Sequence, residues 1–131
     1  MRVISYWSIV MIWNVEYTDE FKLWWESLTE GEQIDIASTV NLLEQCGPNL
    51  KFPFSLGIDT SKLKHLRELR IQHAGDPYRI LYAFDPRRCA ILLFGGNKIG
   101  DDRWYEKNIS VAERLYEEHL LILKTEEKNH G

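Results

Sequence analysis

The sequence predicts an α+β fold in which helices precede and follow a run of short strands. Two segments between residues 18 and 47 repeat apolar side chains with the 3.6-residue period of helices. Three apolar runs between residues 66 and 95 are separated by turn residues, as strands are. With 131 residues, of which 44% are hydrophobic, the chain has the length and the apolar content of a single domain. We therefore treat residues 1–131 as one domain.

Residues 3–17 are rich in Val, Ile, Trp and Tyr and predict an opening strand. Met11 is an alternative start, so residues 1–11 are a possible N-terminal extension. Thr18 or Asp19 can cap the helix that follows. Its apolar side chains fall at positions i, i+3, i+4 and i+7, which are Phe21, Trp24, Trp25 and Leu28.

A second helix is predicted after Thr29, which forms a capping box with Glu32. Gly47 and Pro48 end this helix, in the order usual at helix C-termini. Residues 48–62 contain two prolines and a glycine, and they predict an irregular connection. The apolar face of the helix holds Ile36, Val40 and Leu43.

Three strands are predicted next, over residues 66–73, 78–84 and 89–95, with turns at 74–77 and 85–88. These turns would pair His73 with Tyr78 and Phe84 with Cys89. One face of the sheet is then apolar, with Leu69, Ile71, Ile80, Tyr82, Ile91 and Leu93.

The opposite face of the predicted sheet is polar. It carries Glu68, Arg70 and Gln72, with Arg79 opposite Gln72 and Phe94 beside Arg79. Lys98 follows the last strand near the Arg79 end of the sheet. Arg70, Arg79 and Lys98 can therefore converge on one anion. The guanidinium of arginine suits this role because it donates two parallel hydrogen bonds to the oxygens of a phosphate. The alternative is three solvated bases paired with Glu68, Asp101 or Asp102.

Ser110 and Glu113 form a second capping-box pattern, which predicts that the final helix begins there and runs to about Lys124. The tail, residues 125–131, is expected to fray. The apolar stripe of the helix consists of Ala112, Leu115, Tyr116, His119, Ile122 and Leu123.

The formal net charge of −4 is unevenly distributed along the chain. Residues 12–50 carry a net charge of −7, whereas residues 51–107 carry +4. A segregated anion-binding surface would produce such a basic segment, and so would ordinary scatter on a solvated surface.

Several classes of function lack their sequence signals. No apolar run approaches the roughly 18–20 residues of a membrane span, and no secretory cleavage site follows the N-terminus. Cys46 and Cys89 lack metal-ligand spacing and are too few for a disulfide scaffold, which favours a cytoplasmic location. We therefore expect neither cofactor nor metal, and no contact with a membrane.

Three strings within residues 13–120 resemble the RelE/HigB superfamily of bacterial toxins, and most of all its phage-derived HigB-like branch. They are KLKHLRELRI (residues 62–71), PYRILYAFDPRRCAILLFGGNK (77–98) and GDDRWYEKNISVAERLYEEHL (100–120). The opening WNVEYTDEFKLWWESL (13–28) has the family's strand followed by a helix. The resemblance covers about 110 of the 131 residues.

The resemblance implies a RelE-like fold, similar to microbial ribonucleases: a twisted antiparallel sheet with two N-terminal helices on one face and a C-terminal helix. It also implies a metal-independent endoribonuclease that cleaves messenger RNA on the ribosome. In this family the 2′-hydroxyl attacks the adjacent phosphate and leaves a 2′,3′-cyclic phosphate. Carried over residue by residue, the catalytic positions are Arg70, Arg79, Lys98 and Tyr105.

Further positions would contact the phosphates of RNA, and these are Lys62, Lys64, Arg67 and Arg103. Trp104 would offer a ring for base stacking. Glu68 departs from the family pattern, because some relatives have a base there. It would either lower activity or serve as the general base.

The resemblance also implies partners, which are a cognate antitoxin, expected to be of the helix-turn-helix type, the messenger RNA and the ribosome. Toxin and antitoxin would form a hetero-oligomer, and Leu81, Leu92 and Phe94 are a candidate apolar strip for that contact. Two alternatives stay open: a non-enzymatic ParE-like toxin that inhibits DNA gyrase, and an inactive phage-derived remnant.

Overall fold

The computed structural model describes residues 12–130, which form three helices, a short 3-10 turn and a five-stranded sheet. No helix among these residues is long and apolar enough to cross a membrane. The helices are α1 (Asp19–Glu26), α2 (Glu30–Cys46) and α3 (Trp104–His130), and the 3-10 turn is Gly47–Asn49. The strands are β1 (Val15–Tyr17), β2 (Ser55–Gly57), β3 (Arg67–His73), β4 (Asp76–Phe84) and β5 (Ala90–Asn97).

The two N-terminal helices begin as their sequence signals predict. The Thr18 side chain accepts a hydrogen bond from the Phe21 amide and caps α1. The capping box of α2 is complete, since Thr29 and Glu32 each bond the other's backbone amide. Gly47, with φ of 56°, ends α2 as expected.

The strands lie in the order β1-β5-β4-β3-β2. Only the β1–β5 pair is parallel. The predicted opening strand is wrong for residues 12–14, and its part within residues 3–11 lies outside the described residues. The irregular connection predicted for 48–62 contains β2, because Ser55 and its neighbours find backbone partners on β3.

Both faces of the sheet are covered by helices, whereas the sequence predicted only one apolar face. On one face, α1 and α2 pack Phe21, Ile36 and Leu43 against the sheet. On the other face, α3 contributes a second core. The sheet residues of the first core are Leu69, Ile71, Tyr78, Ile80, Tyr82, Ala90 and Leu92; those of the second are Leu81, Ala83, Ile91 and Leu93.

The β3–β4 hairpin is tighter than predicted, so the predicted pairing is wrong by two residues. His73 pairs with Asp76, and the turn consists of Ala74 and Gly75 alone, with φ of 51° and 84°. Two positive φ values define the type I′ turn that matches the twist of paired strands. A shift of two residues leaves every side chain on its predicted face, but it places Arg79 opposite Arg70 rather than Gln72.

The β4–β5 hairpin is one residue longer than predicted, and Phe84 pairs with Ala90. The Asp85 carboxylate accepts the amides of Arg87 and Cys89 and so holds the longer turn. The shift of one residue moves Ile91 and Leu93 to the α3 face, against the prediction.

An irregularity between Leu81 and Tyr82 then changes the pairing of β5 further along. Phe94 pairs with Leu81, and Gly96 lies opposite Arg79. The predicted position of Phe94 beside Arg79 is therefore wrong.

The final helix begins at Trp104, six residues before the predicted start. Asp101 holds the preceding turn by accepting the Arg103 amide, and Ser110 lies inside the helix. Glu113 does not complete a capping box, because it accepts hydrogen bonds from Ser61 Oγ and the Lys62 amide, both at 2.6 Å. The helix continues to His130, so its predicted end at about Lys124 is wrong.

Candidate active site

A cluster of an arginine, a glutamate and a tyrosine lies on the α3 face, near the start of α3. Arg79 Nε is 3.2 Å from Glu68 Oε1, and both side chains are less than a tenth exposed. The Tyr105 hydroxyl donates to Glu68 Oε1 at 2.6 Å and accepts from Arg79 Nε at 3.2 Å. Adjacent strands place Glu68 and Arg79, and the first turn of α3 places Tyr105.

The hydrogen bonds of this cluster fix the protonation of the tyrosine. Burial raises the pKa of Tyr105. The hydrogen bond that its hydroxyl donates to Glu68 raises this pKa further, and the hydrogen bond from Arg79 lowers it by a smaller amount. The phenol is therefore a donor at neutral pH. Arg79 Nη1 donates to the Tyr78 carbonyl at 2.9 Å, so this guanidinium is held rigidly.

Lys98 reaches the cluster from the end of β5, as the sequence predicted. Its Nζ lies 5.7 Å from the centre of the Tyr105 ring, within the range of a cation–π contact. The Lys98 amide donates to the Pro77 carbonyl at 2.9 Å and ties this part of the chain to the start of β4. Within residues 12–130, Lys98 forms no ion pair.

Arg70 pairs with Arg79 across β3 and β4, so the two side chains project from the same face as neighbours. Arg70 is half-buried and forms no ion pair with any described residue. Two arginines side by side repel each other, and Glu68 neutralises only Arg79. Arg70 therefore contributes an uncompensated positive charge beside the cluster.

A cleft of about 460 Å³ opens beside these arginines. The sequence did not predict this cleft, because its far wall comes from residues 52–54 in the segment expected to be irregular. Two phenylalanines beside a proline were the available signal. The cleft is lined by Asp35, Thr39, Phe52, Pro53, Phe54, Arg70, Ile71, Gln72 and Arg79.

The predicted RNA-contacting bases are dispersed. Lys62 and Lys64 are exposed in the loop before β3, and Arg103 is exposed and paired with Glu106 at 2.6 Å. Arg67 lies on the sheet face opposite Arg70, where its Nε donates to Ser55 Oγ at 3.0 Å. The structure does not bring these four side chains to one place.

Trp104 belongs to the core. It is 4% exposed, its ring packs against Phe94 and Tyr105, and its Nε1 lies under Gly96, where a Cβ atom would approach to 2.8 Å. This ring has no free face for a base. Trp104 is therefore not part of the proposed site.

The apolar strip expected to receive an antitoxin is also internal. Leu81 and Leu92 are buried in different cores, on opposite faces of the sheet, and Phe94 packs against the second core. The change in β5 pairing is the reason, since it separates residues that the predicted register placed together. This strip is not a docking surface.

Two histidines form hydrogen bonds with carboxylates away from the cluster. His73 Nδ1 lies 2.6 Å from Asp35 Oδ2, and His119 Nε2 lies 2.9 Å from the buried Asp85. Burial acts to raise the pKa of Asp85, but the hydrogen bonds from His119 and Arg87 hold it below its usual value. Among residues 12–130, no three His, Cys, Asp or Glu side chains are grouped so as to hold a metal ion.

Comparisons with known proteins agree with this architecture. Residues 23–117 match the family described as phage derived protein Gp49-like. A Mycobacterium tuberculosis protein named "Putative toxin HigB3" is 40% identical over 98 residues, which cover 74% of this chain and 84% of that protein. A second protein of that organism is named "Putative toxin HigB2". It is 34% identical over 110 residues, which cover 82% of this chain and 54% of that protein. The chain thus spans about half the length of HigB2.

A solved structure shares the fold. The RelE–RelB complex of Pyrococcus horikoshii contains a chain that superposes with a TM-score of 0.51 at 17% identity, over 69% of this chain and 99% of that one. The family match, over residues 23–117, contains strands β2 to β5 and the residues of the cluster. This chain therefore belongs to the Gp49-like family of phage-derived proteins, a HigB-like branch of the RelE/HigB superfamily of toxins.

Proposed function

We propose that this chain is the toxin of a type II toxin–antitoxin module and that it acts as a ribosome-dependent, metal-independent messenger RNA endoribonuclease. One observation carries the proposal: Arg70 and Lys98, both without ion-pair partners among the described residues, flank the Arg79–Tyr105 pair at one end of the sheet. Glu68 pairs with Arg79, so Arg70 and Lys98 supply the net positive charge of the site.

In the reaction, the 2′-hydroxyl gives up its proton to water while its oxygen forms a bond to the adjacent phosphorus. The bond from phosphorus to the 5′-oxygen breaks, and that oxygen takes up a proton. The products are a 2′,3′-cyclic phosphate and a 5′-hydroxyl. The phosphorane between these states carries extra negative charge, which fixed cations stabilise more than the ground state. We assign Arg70 and Arg79, which both line the cleft, to this stabilisation.

The remaining groups receive complementary roles. Lys98 assists the departing 5′-oxygen, which needs a proton or a positive charge nearby. Tyr105 orients the nucleophile, because its hydroxyl oxygen is held in place by Glu68 and Arg79 and can accept a hydrogen bond from the 2′-hydroxyl. Glu68 is a positioning residue that holds both.

The partners follow from the same proposal. A cognate antitoxin silences the chain in a hetero-oligomer, and the substrate is a message held on the ribosome. The exposed Lys62, Lys64 and Arg103 contact phosphates of the ribosome or message, which position without reading sequence. The cytoplasm is the compartment where these partners meet.

The test is induced expression in a bacterial host without the neighbouring gene, with transcript ends mapped by primer extension. We expect growth arrest and new cuts inside translated codons, both relieved by Arg70→Ala and by Lys98→Ala. Arg114→Ala is the control, because Arg114 is exposed on α3 and only pairs with Glu118 one turn later. Arrest with intact messages would overturn the ribonuclease proposal in favour of a gyrase-directed toxin, and absence of arrest would indicate an inactive remnant.

A further inference from the structure

An aromatic side chain continues the row of arginines across the sheet. Ser55 pairs with Leu69, and the Arg70 amide donates to the Phe54 carbonyl at 2.9 Å, which places Phe54 opposite Arg70. Phe54 lies in the turn just before β2 and lines the same cleft as Arg70 and Arg79. The three side chains therefore form one row along that cleft, aromatic at the sheet edge and cationic towards the cluster.

The aromatic end of this row is open to solvent. Phe52 is 69% exposed and Phe54 is 41% exposed, although α2 and β3 offer apolar surface nearby. Both rings and both arginines line the same cleft of about 460 Å³. Pockets for small organic ligands are about 300–1,000 Å³, so a single nucleotide is of suitable size.

The polar groups of the cleft suit a nucleotide as well. Arg70 carries an uncompensated charge for a phosphate, and exposed Gln72 offers an amide to a base edge. Asp35 also lines the cleft, but its carboxylate is bonded to His73. Stacking on an exposed ring beside a phosphate-binding cation is the usual way in which proteins hold single-stranded RNA.

We propose that Phe54, supported by Phe52, forms a stacking subsite for the RNA base next to the phosphate bound by Arg70. The proposal rests on the RNA-directed function above and adds the residues that would select the nucleotide. Arginine binds the phosphate without reading sequence, whereas the ring and Gln72 contact the base itself.

Binding can be tested apart from catalysis with a short single-stranded RNA in which every 2′-hydroxyl is methylated, so that no attack occurs. Its dissociation constant for the purified full chain would be measured by fluorescence polarisation at low salt. Phe54→Ala should raise Kd about tenfold, the equivalent of one stacked base. Phe54→Trp should bind like the unaltered chain, and Phe54→Leu should be as weak as Phe54→Ala, because leucine keeps apolar surface without a π face.

Leu23→Ala is the matched control, since Leu23 is 69% exposed on α1 and lies outside the cleft. It should leave Kd unchanged. Equal Kd values for Phe54→Ala and the unaltered chain, or no RNA binding by the unaltered chain, would overturn the subsite; an exposed ring that RNA ignores would then be assigned to a protein partner. Failure of the ribonuclease proposal is separate, because it would appear as intact transcripts while the Phe54-dependent binding persists.

Discussion

The Arg79–Glu68 pair dominates the site at the scale of single residues. Both side chains are under a tenth exposed, and each satisfies the charge of the other. A buried charge that loses its partner is costly, whereas replacement of both charges by apolar groups can be neutral. The pair is therefore more informative about stability than about catalysis.

Arg79→Ala should lower the free energy of unfolding by about 3–5 kcal/mol, because it leaves the buried Glu68 without its ion-pair partner. The double substitution Arg79→Met with Glu68→Leu should recover most of that loss. Urea unfolding at neutral pH measures both variants. If the double variant is as unstable as the single one, the pair is not the origin of the cost. Loss of toxicity in Arg79→Ala alone would thus be ambiguous, so Arg70 and Lys98 are the better probes of function.

A second residue-scale prediction concerns alkaline pH. Burial raises the pKa of Tyr78 to about 12, and its hydrogen bond to Glu32 contributes. The folded chain therefore keeps a proton that the unfolded chain releases near pH 10, so stability is complete below pH 10 and falls between pH 10 and 12. The two-unit shift corresponds to a loss of about 2–3 kcal/mol.

Tyr78→Phe removes this titration, although other tyrosines still titrate. The free energy of unfolding, measured in urea at pH 8, 10 and 11, should fall less steeply for Tyr78→Phe than for the unaltered chain. Parallel pH profiles for the two proteins would contradict the assignment. The same hydrogen bond from Tyr78 lowers the pKa of Glu32. The stability that Glu32 contributes is therefore present at neutral pH and is lost in acid.

At the scale of elements, the prediction concerns the residues that cap the start of a helix. Thr29 caps α2 with a complete capping box, whereas Ser110 shows the same sequence pattern inside α3. Thr29→Ala should cost about 1 kcal/mol. Ser110→Ala should cost nothing or stabilise slightly, since alanine has the higher helix propensity. Thermal and urea unfolding of the two variants decide this, and equal losses would show that Ser110 acts as a cap.

The elements also show what local sequence can predict. The caps at Thr18 and Thr29 were predictable because their partners lie within three residues. The start of α3 was not, because Glu113 bonds Ser61 and Lys62, about fifty positions away. Turn lengths set the registers, and the Asp85 side chain that lengthened the second turn looks in sequence like an ordinary turn residue.

At the scale of the whole molecule, the parts of the site that depend on local sequence were predictable and those that depend on distant contacts were not. Alternation along the strands was enough to place Arg70 and Arg79 on one face, and the position of Lys98 directly after the last strand was enough to bring it near them. Neither the burial of Arg79 nor the Tyr105 hydroxyl between Arg79 and Glu68 was predictable, because both depend on where α3 begins.

The basic segment between residues 51 and 107 does not form one anion-binding surface. Arg87 and Arg88 lie at the β4–β5 turn, at the other end of β4 from Arg79, and Arg87 pairs with Glu16 and Asp85. Lys107 pairs with Asp101. Beside the cluster, the positive charge without an ion-pair partner lies at Arg70 and Lys98, so those two positions carry the central claim.

The most direct measurement uses the purified chain with ribosomes programmed by a defined message, followed by chemical identification of the new RNA ends. We expect cuts within codons that leave a 2′,3′-cyclic phosphate and a 5′-hydroxyl. Arg70→Ala and Lys98→Ala should each slow cleavage by about 100-fold or more, the usual cost of removing one transition-state contact. An intact message, or variants that cut as fast as the unaltered chain, would contradict the account.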